Sequence, residues 1–270
     1  MSPSNESFYH NAIRNVFPDA TDIRLPDVCG CVSPVFFCNA SNKALVCKFN
    51  NPNILMRNAL VSQVLNNHDI PAPRTAVHNH GTAWFESYDY CADRTLFEHV
   101  NANMSYADTI AAFENMLRLE HKMSMIDVHE FNPARYRYFY EVDRSNHRMV
   151  YHSSLALFYS SIVYLLGQYG KKRLYHNDMH SKNVLINGRS DISRVLDLDA
   201  VALGNETYCL TMLLRHYEGP ESDYTHLLNF YEELTGHTTN RRTILNTLKL
   251  FAAVRNKKRA LLDKNFALQR

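Results

Sequence analysis

The sequence predicts an α+β fold, with strands and one helix in the first part of the chain and mainly helices in the second. Residues 29–49 contain apolar runs separated by a polar segment at 39–43, which predicts a β-hairpin. Residues 106–125 carry apolar side chains at helical spacing, which predicts an amphipathic helix. A second hairpin is predicted within residues 183–197, and the chain beyond it is predicted to be mostly helical.

Composition narrows the class of protein. The 270 residues include 29 Lys and Arg against 27 Asp and Glu, so no strong field favours a nucleic-acid partner. No window reaches the roughly 20 apolar residues of a membrane span, and no signal peptide is visible at the start. The six cysteines are predicted to be reduced thiols. We therefore expect a cytoplasmic protein, or one secreted into a host cytosol; the sequence predicts no oligomeric state.

The first hundred residues are predicted to contain further elements beside the hairpin. Residues 8–17 predict a short helix packed on the outside, and residues 82–86 predict a strand that leads into a connecting segment at 87–90. Another helix is predicted to start at residues 93–96. The helix predicted at residues 53–67 has apolar residues on one side: Leu55, Ala59, Leu60, Val64 and Leu65.

The stretch 175–201 carries the residues with the clearest chemical meaning. Asp178 is followed by Asn183, which opens an apolar strand, and Asn187-Gly188 predicts a two-residue hairpin turn. The returning strand, 194–196, leads to Asp197 and Asp199. A hairpin brings its ends together, so we expect Asn183 and Asp197 side by side, where their oxygens could bind Mg²⁺. Asp178 could then orient an attacking hydroxyl and accept its proton.

Two alternatives to this interpretation exist. Asp and Asn in loops commonly form turns and need no further role. His176 and His180 are four residues apart and superficially echo a zinc-binding helix. That motif needs a Glu after the first His and a continuous helix, whereas Asn177-Asp178 is a poor helix interior. The carboxylate–amide interpretation is therefore favoured.

The spacing of His176, Asp178 and Asn183, followed by Asp197, resembles the H-x-D-x-x-x-x-N loop and metal-binding Asp of the protein-kinase-like superfamily. It is most similar to aminoglycoside phosphotransferases, choline kinases and lipopolysaccharide-core kinases. The resemblance implies a bilobal fold, with a small antiparallel sheet and one helix in residues 1–90 and a mainly helical lobe in residues 91–270. It further implies ATP and Mg²⁺ as cofactors, Asp178 as the catalytic residue, and three metal ligands: Asn183, Asp197 and Asp199.

The same resemblance implies nucleotide contacts. Lys48, on a strand of the first hairpin, would hold the α- and β-phosphates, and Val46 and Leu185 would line the nucleotide pocket. The alternative is that Lys48 is a charge on an edge strand. Residues 30–36 resemble the G-x-x-S-x-x-F loop of aminoglycoside-phosphotransferase-like enzymes, which makes Ser33 a candidate phosphate ligand.

The sequence departs from the family on the first long helix. The family places there a Glu that pairs with the strand Lys, but this chain has no acidic residue between Lys48 and Asp69, and Asn58 occupies the position. Either another group holds Lys48, with Gln63 and Asp197 as candidates, or catalysis is slow. A catalytically silent, nucleotide-binding pseudokinase scaffold is therefore one alternative function.

Three features favour a small acceptor over a protein. Asn177 stands where protein kinases usually carry Arg, His180 is typical of aminoglycoside- and choline-kinase-like enzymes, and Asp197-Leu-Asp199 replaces D-F-G. We expect the acceptor to be a hydroxyl of a small molecule, sugar or lipid head group; an atypical, effector-like serine/threonine protein kinase is the alternative. Arg and aromatic residues in 131–151 form either an acceptor-binding segment or a solvated insertion. Basic residues in 255–259 are expected to form a solvated face, with weak contact with anionic surfaces as the alternative.

Overall fold

The computed structural model describes residues 3–26, 33–127 and 173–253, and it divides the chain into two compact units. Unit 1 comprises residues 1–93 and 194–199, and unit 2 comprises residues 94–193 and 200–270. The boundary expected after residue 90 stays a prediction. Several predicted features lie outside the described residues: Gly30 of the phosphate loop, the segment 131–151 and the basic residues 255–259. The apolar residues of 155–169, which predict a buried helix, lie outside them as well.

Unit 1 is built on a five-stranded antiparallel sheet in the order β1-β2-β3-β5-β4. Two helices, α1 and α2, accompany this sheet. β3 is the central strand, so Lys48 does not lie on a sheet edge. The elements are α1 Pro3–Val16, β1 Thr21–Arg24, β2 Val35–Ala40, β3 Lys43–Phe49, α2 Pro52–Asn67, β4 Ala76–His80 and β5 Ala83–Asp89.

Helix α1 is part of the unit 1 core and is not an external addition. It begins at Pro3, five residues earlier than predicted, and Ile13 is completely buried. Ala12 and Ile13 pack in one cluster with alternate residues of β3, namely Leu45, Cys47 and Phe49. Because side chains alternate across a strand, Val46 and Lys48 of β3 point to the opposite face of the sheet.

The first hairpin is tighter than its polar residues suggested. The strands extend to Ala40 and from Lys43, so only Ser41 and Asn42 form the turn, and both have positive φ. Two positive φ values are the type I′ geometry that matches the twist of paired strands. The prediction of a turn over 39–43 was therefore wrong in length, and the edge strand β1, which pairs with β2, was not predicted.

Helix α2 begins at Pro52, one residue before the predicted start, and it buries three of the five predicted apolar residues: Leu55, Val64 and Leu65. Its N-cap Asn51 accepts a hydrogen bond from the backbone N–H of Asn53. Ala59 and Leu60, which were expected on the apolar side, are only half-buried. The seven buried residues of the helix include three polar or charged ones, Arg57, Asn58 and Ser62. The other four are apolar: Leu55, Val61, Val64 and Leu65. Burial of polar groups on this helix indicates hydrogen-bonded partners inside the unit.

Unit 2 combines helices with two small sheets. The helix α4 packs against α6 and against β7, and α3 packs against β6 and β8. The sheets have the orders β6-β8-β9 and β7-β10. The elements are β6 Arg94–Thr95, α3 Leu96–Asn101, α4 Tyr106–Ser124, β7 Arg173–Tyr175, β8 Val184–Asn187, β9 Asp191–Val195, β10 Ala202–Gly204, α5 Glu206–Leu214 and α6 Glu221–Thr235, followed by helical residues 241–253.

The α+β class is confirmed by these elements. The hairpin of β8 and β9 is also present, with one correction. Asn187 ends β8, and three residues from Gly188 to Ser190 form the turn, so the predicted two-residue turn was wrong. Gly188 has φ +71, a conformation that favours glycine. Within the described ranges, no helix is long and apolar enough to cross a membrane.

A buried carboxyl group supports the start of the loop 176–183 in unit 2. Glu120 of α4 is 1% exposed, and its Oε2 accepts a hydrogen bond of 3.0 Å from the backbone N–H of His176. Burial raises the pKa of Glu120 to about 7, although the bond from His176 acts in the opposite direction. A carboxyl whose pKa is raised in the folded state is a source of pH-dependent stability.

We expect Glu120→Gln to become more stable relative to the wild type as the pH rises from 5 to 7. In this window the unfolded chain releases the Glu120 proton while the folded chain still holds it, so the wild type loses stability. The difference in free energy of unfolding should increase by about 2 kcal/mol and then level off above pH 7. Urea denaturation at several pH values measures it. The exposed Glu233→Gln is the control, and parallel curves for both variants would contradict the assignment.

Candidate active site

Lys48 is held inside unit 1 by two carboxylates. It lies in the central strand β3 opposite Glu86 of β5, and it is 9% exposed. Its Nζ lies 2.8 Å from Oδ1 of Asp197 and 3.0 Å from Oδ2 of Asp199. Of the two substitutes proposed for the missing helix Glu, Asp197 therefore contacts Lys48, whereas Gln63 is exposed.

The carboxylates decide the charge of Lys48. Burial alone would lower the pKa of its ammonium group, but Asp197 and Asp199 outweigh burial and raise the pKa above its ordinary value. The ammonium group is therefore charged at neutral pH. A buried, charged Lys beside two carboxylates can bind the phosphates of a nucleotide if the carboxylates bind a metal cation in place of the ammonium group.

Asp197 and Asp199 are fixed by the backbone that carries them. Asp197 follows β9 with φ +56, a left-handed conformation that Asp tolerates better than most residues. Asp199 lies in a 3₁₀ turn at residues 198–200 and accepts hydrogen bonds from Nδ2 of Asn50, at 3.0 Å, and from Nδ2 of Asn58. The Arg57 guanidinium also donates to the backbone carbonyl of Asp199 at 2.6 Å. Helix α2 therefore anchors this segment.

Glu86 is an acid of this cluster that the sequence interpretation missed. It is 3% exposed, and burial raises its pKa to about 7, with Lys48 and a hydrogen bond from Asn58 acting in the opposite direction. The available signal was its place in the apolar strand β5, where a buried Glu requires a partner. The acid beside Lys48 in the sheet thus comes from a neighbouring strand and not from α2.

The other predicted nucleotide ligands have different surroundings. Val46 is 6% exposed and lies on the same sheet face as Lys48, as expected. Ser33 is half-buried and borders a shallow pocket with Asn50 and Trp84. Leu185 belongs to unit 2, where it is 6% exposed in β8 and pairs with Thr95 of β6. The burial and pairing of these three residues do not show whether they contact a nucleotide. Their assignments as nucleotide ligands therefore stay predictions.

In unit 2, Asp178 and Asn183 lie in one loop whose hydrogen bonds set their orientation. Nδ2 of Asn183 donates to the backbone carbonyl of Asp178 at 3.1 Å, and the Asn183 N–H donates to the His180 carbonyl at 2.8 Å. Because the amide nitrogen is used in this way, the side-chain oxygen of Asn183 is the end suited to a cation. The Asp178 Oδ1 accepts a bond of 3.0 Å from Arg215.

Asn177 braces the loop, a role that the sequence did not indicate. It has φ +60, and its Nδ2 donates to the backbone carbonyls of Tyr175 and Ala202, each at 3.0 Å, and of Ala200 at 3.3 Å. A Cβ on Gly204 would lie 2.5 Å from the Asn177 Oδ1, so residue 204 must be small. The loop that carries Asp178 is therefore tied to strand β10.

Asp178, His180 and His216 form a group with the ligand types of a metal site, since single ligand atoms lie within 4.8 Å of one another. The hydrogen bonds argue against a metal ion there. Nδ1 of His180 accepts from the Lys182 backbone N–H at 3.1 Å, so its Nε2 carries the proton. Nε2 of His216 accepts from Arg215 at 2.8 Å. His176, the other half of the zinc alternative, is fully buried and outside this group.

The predicted site residues thus fall into two sets. Lys48, Asp197 and Asp199 are brought together in unit 1, and Asp178 and Asn183 are brought together in unit 2. Arg215, at the end of α5, was missed because it follows Asp178 by 37 residues and no local pattern links the two.

Solved structures share this architecture. An aminoglycoside 3′-phosphotransferase of type VIII matches with a TM-score of 0.65 and 14% identity over 90% of this chain and 98% of that chain. The macrolide 2′-phosphotransferase from Brachybacterium faecium matches with a TM-score of 0.57 and 16% identity over 96% and 93%. A spectinomycin phosphotransferase in complex with ADP and spectinomycin matches with a TM-score of 0.56 and 15% identity over 90% and 83%.

The chain has the protein-kinase-like fold. The fold that the spacing of Asp178, Asn183 and Asp197 predicted is therefore confirmed. The sequence matches no protein-family model and no curated protein. Within this kinase-like fold, the helix position expected to hold Glu is occupied by Asn58, whose amide binds Asp199.

We expect Asn58→Ala to destabilise the kinase-like fold by about 1–3 kcal/mol, because a part-buried carboxylate loses a donor. Urea denaturation measures the free energy of unfolding. The matched control is Asn67→Ala, at the exposed end of the same helix, which should change stability by less than about 0.5 kcal/mol. Equal losses in the two variants would show that Asn58 does not hold Asp199.

Proposed function

We propose that the protein is an ATP- and Mg²⁺-dependent phosphotransferase that moves the γ-phosphate to a hydroxyl of a small molecule, sugar or lipid head group. The observation that carries the proposal is the contact of the buried Lys48 ammonium with Asp197 and Asp199, at 2.8 and 3.0 Å. A charged Lys and carboxylates in one place are the groups that bind phosphates and their metal ion. The free cysteines of the described residues agree with a cytoplasmic location.

The side chains proposed as metal ligands are of types that suit magnesium. Asn183, Asp197 and Asp199 offer amide and carboxylate oxygens, which are hard ligands of the type Mg²⁺ prefers. Bound Mg²⁺ would supply neutralisation of the phosphate charge. Lys48 would then bind the α- and β-phosphates, and Ser33, Val46 and Leu185 are proposed as further nucleotide contacts.

Asp178 is proposed as the catalytic base. It would accept the proton of the acceptor hydroxyl while the hydroxyl oxygen forms a bond to the γ-phosphorus and the bond to the bridging oxygen of ADP breaks. Arg215 is a positioning residue in this step. Its bond of 3.0 Å to Oδ1 fixes the plane of the carboxylate, whose Oδ2 lies 3.7 Å from Nε2 of His180.

The preference for a small acceptor is supported by the similar structures. Their names describe macrolide, aminoglycoside and spectinomycin phosphotransferases, and one of them holds ADP with spectinomycin. One observation favours the rival function, a nucleotide-binding pseudokinase scaffold: α2 offers Lys48 no carboxylate, and its Asn58 binds Asp199 instead. Turnover of ATP separates the two functions.

We expect Asp178→Ala to lower the transfer of labelled phosphate from ATP about 10²- to 10⁴-fold, because the hydroxyl loses its base. An acceptor screen covers sugars, choline, aminoglycosides, phosphoinositides and cell lysate proteins. Asp191→Ala, at an exposed position in β9, is the matched control and should keep wild-type activity. Equal traces for wild type and Asp178→Ala with every acceptor would support the scaffold.

We expect Arg215→Met to lower kcat about 10- to 100-fold, because Asp178 loses its fixed orientation. The KM for ATP should change less than twofold. Arg215→Lys keeps the charge but not the planar fork, and it should recover only part of kcat. A rise in KM for ATP with kcat unchanged would assign Arg215 to nucleotide binding and not to positioning.

A further inference from the structure

Unit 2 contains a pocket of about 1210 Å³ beside the loop that carries Asp178. The loop contributes His180, Ser181 and Lys182 to its lining, and Arg215, which bonds to Asp178, lies in the lining as well. The rest of the described lining comes from α3, α4, residues 216–220 and Phe251. The pocket therefore borders the loop that carries the group proposed to activate the acceptor, and it is large enough to hold a small molecule.

Apolar surface is concentrated at this pocket. Phe97, Val100 and Tyr106 line it, and they are 40%, 41% and 63% exposed. They are three of the eight large hydrophobic side chains exposed in the described part of the chain. Exposed apolar side chains gathered around a cavity mark a binding site more often than single ones do. An acceptor with an apolar or aromatic ring would cover them.

The wall of the pocket is held in place by a buried acid. Asp223 of α6 is 3% exposed and accepts hydrogen bonds from the hydroxyls of Tyr106, at 2.6 Å, and Tyr217. These two tyrosines come from the start of α4 and from the segment before α6. Because one carboxylate binds both tyrosines, it connects the side of the pocket formed by α4 to the side formed by residues 216–220.

The charges of the lining point to the chemistry of the acceptor. Lys182 and Arg215 are the Lys and Arg side chains of the described lining, and Glu218 is the only carboxylate there; Arg215 is already paired with Asp178 at 3.0 Å, which leaves Lys182 as the cation offered to a ligand. His180 and His216 each accept a hydrogen bond at one ring nitrogen. That nitrogen carries no proton, so neither ring adds a positive charge in this arrangement. A ligand with several ammonium groups would require several carboxylates to pair with them, and the described lining of the pocket does not supply them.

The ammonium group of Lys182 is placed at the apolar part of the pocket. Its Nζ lies 4.6 Å from the centroid of the Phe97 ring, and the side chain is exposed. An anion bound to Lys182 would therefore sit beside the ring surface of Phe97 and Val100. This arrangement fits a ligand that carries one negative group on an apolar ring body.

We propose that this pocket binds the acceptor and that the acceptor is a hydroxyl-bearing ring compound with a single anionic group, not a polycationic aminoglycoside. The inference rests on the proposed phosphotransferase function, because it assigns the acceptor of that same site. Lys182 is the specificity-determining residue: it binds the anion and leaves the hydroxyl to Asp178.

The test measures binding by isothermal titration calorimetry on the full chain without nucleotide, so that it is independent of catalysis. The probes are 6-hydroxynaphthalene-2-sulfonate, neutral 2-naphthol and kanamycin. We expect the sulfonate to bind more tightly than the other two. Lys182→Gln should weaken the sulfonate about three- to fivefold, and Glu218→Gln should tighten it about twofold. Added salt should weaken the sulfonate but not 2-naphthol.

The control variant is Lys43→Gln, an exposed lysine of unit 1 that should leave all three affinities unchanged. Tighter binding of kanamycin than of the sulfonate, no binding of the sulfonate, or equal affinities in wild type and Lys182→Gln would overturn the inference. Phosphate transfer is measured separately. A chain that binds the sulfonate through Lys182 but never transfers phosphate refutes the proposed function alone, and one that phosphorylates kanamycin through Asp178 refutes the acceptor class alone.

Discussion

The buried positive charge of Lys48 is the constraint on which unit 1 depends. An ammonium group that is 9% exposed in the middle of a sheet is costly unless carboxylates compensate it. Asp197 and Asp199 supply this compensation, and each must then be brought to the sheet by the chain that follows β9. The left-handed conformation of Asp197 and the 3₁₀ turn at Asp199 are the local means by which the chain does so.

Helix α2 contributes to this compensation without an acidic side chain of its own. In place of an acid that pairs with Lys48, it presents Asn58 and Arg57, which bind the side chain and the backbone carbonyl of Asp199. The helix thus holds the acidic segment directly, and Lys48 indirectly. Glu86 adds a third carboxyl, and burial raises its pKa to about 7, which reduces the negative charge that Lys48 and Arg57 must balance.

In unit 2, three side chains hold the loop that carries Asp178 in one conformation. Asn177 ties the loop to β10, Glu120 binds the backbone at His176, and Arg215 fixes the Asp178 carboxylate. Each of these groups lies far along the chain from at least one of its partners. Preorganisation of this kind makes a carboxylate useful as a base, because little rearrangement is required during the reaction. The pocket beside the loop is lined by His180, Ser181 and Lys182 of the same loop.

The sequence by itself determined the α+β class and the protein-kinase-like fold, because the order Asp178, Asn183, Asp197 with a hairpin between them is local information. The resemblance also singled out Lys48, and the structure places it against Asp197 and Asp199. Only the tertiary structure decided that Asn58 binds Asp199, that Glu86 lies opposite Lys48 and that Arg215 contacts Asp178. These pairs are set by strand register and by helix packing. Asn58 and Asp199 are 141 positions apart, Lys48 and Glu86 are 38 apart, and Asp178 and Arg215 are 37 apart, so no local periodicity encodes them. The turn lengths and the burial of Arg57, Asn58 and Ser62 on α2 were also decided by the tertiary structure, because polar side chains are buried only where the folded unit supplies hydrogen-bond partners.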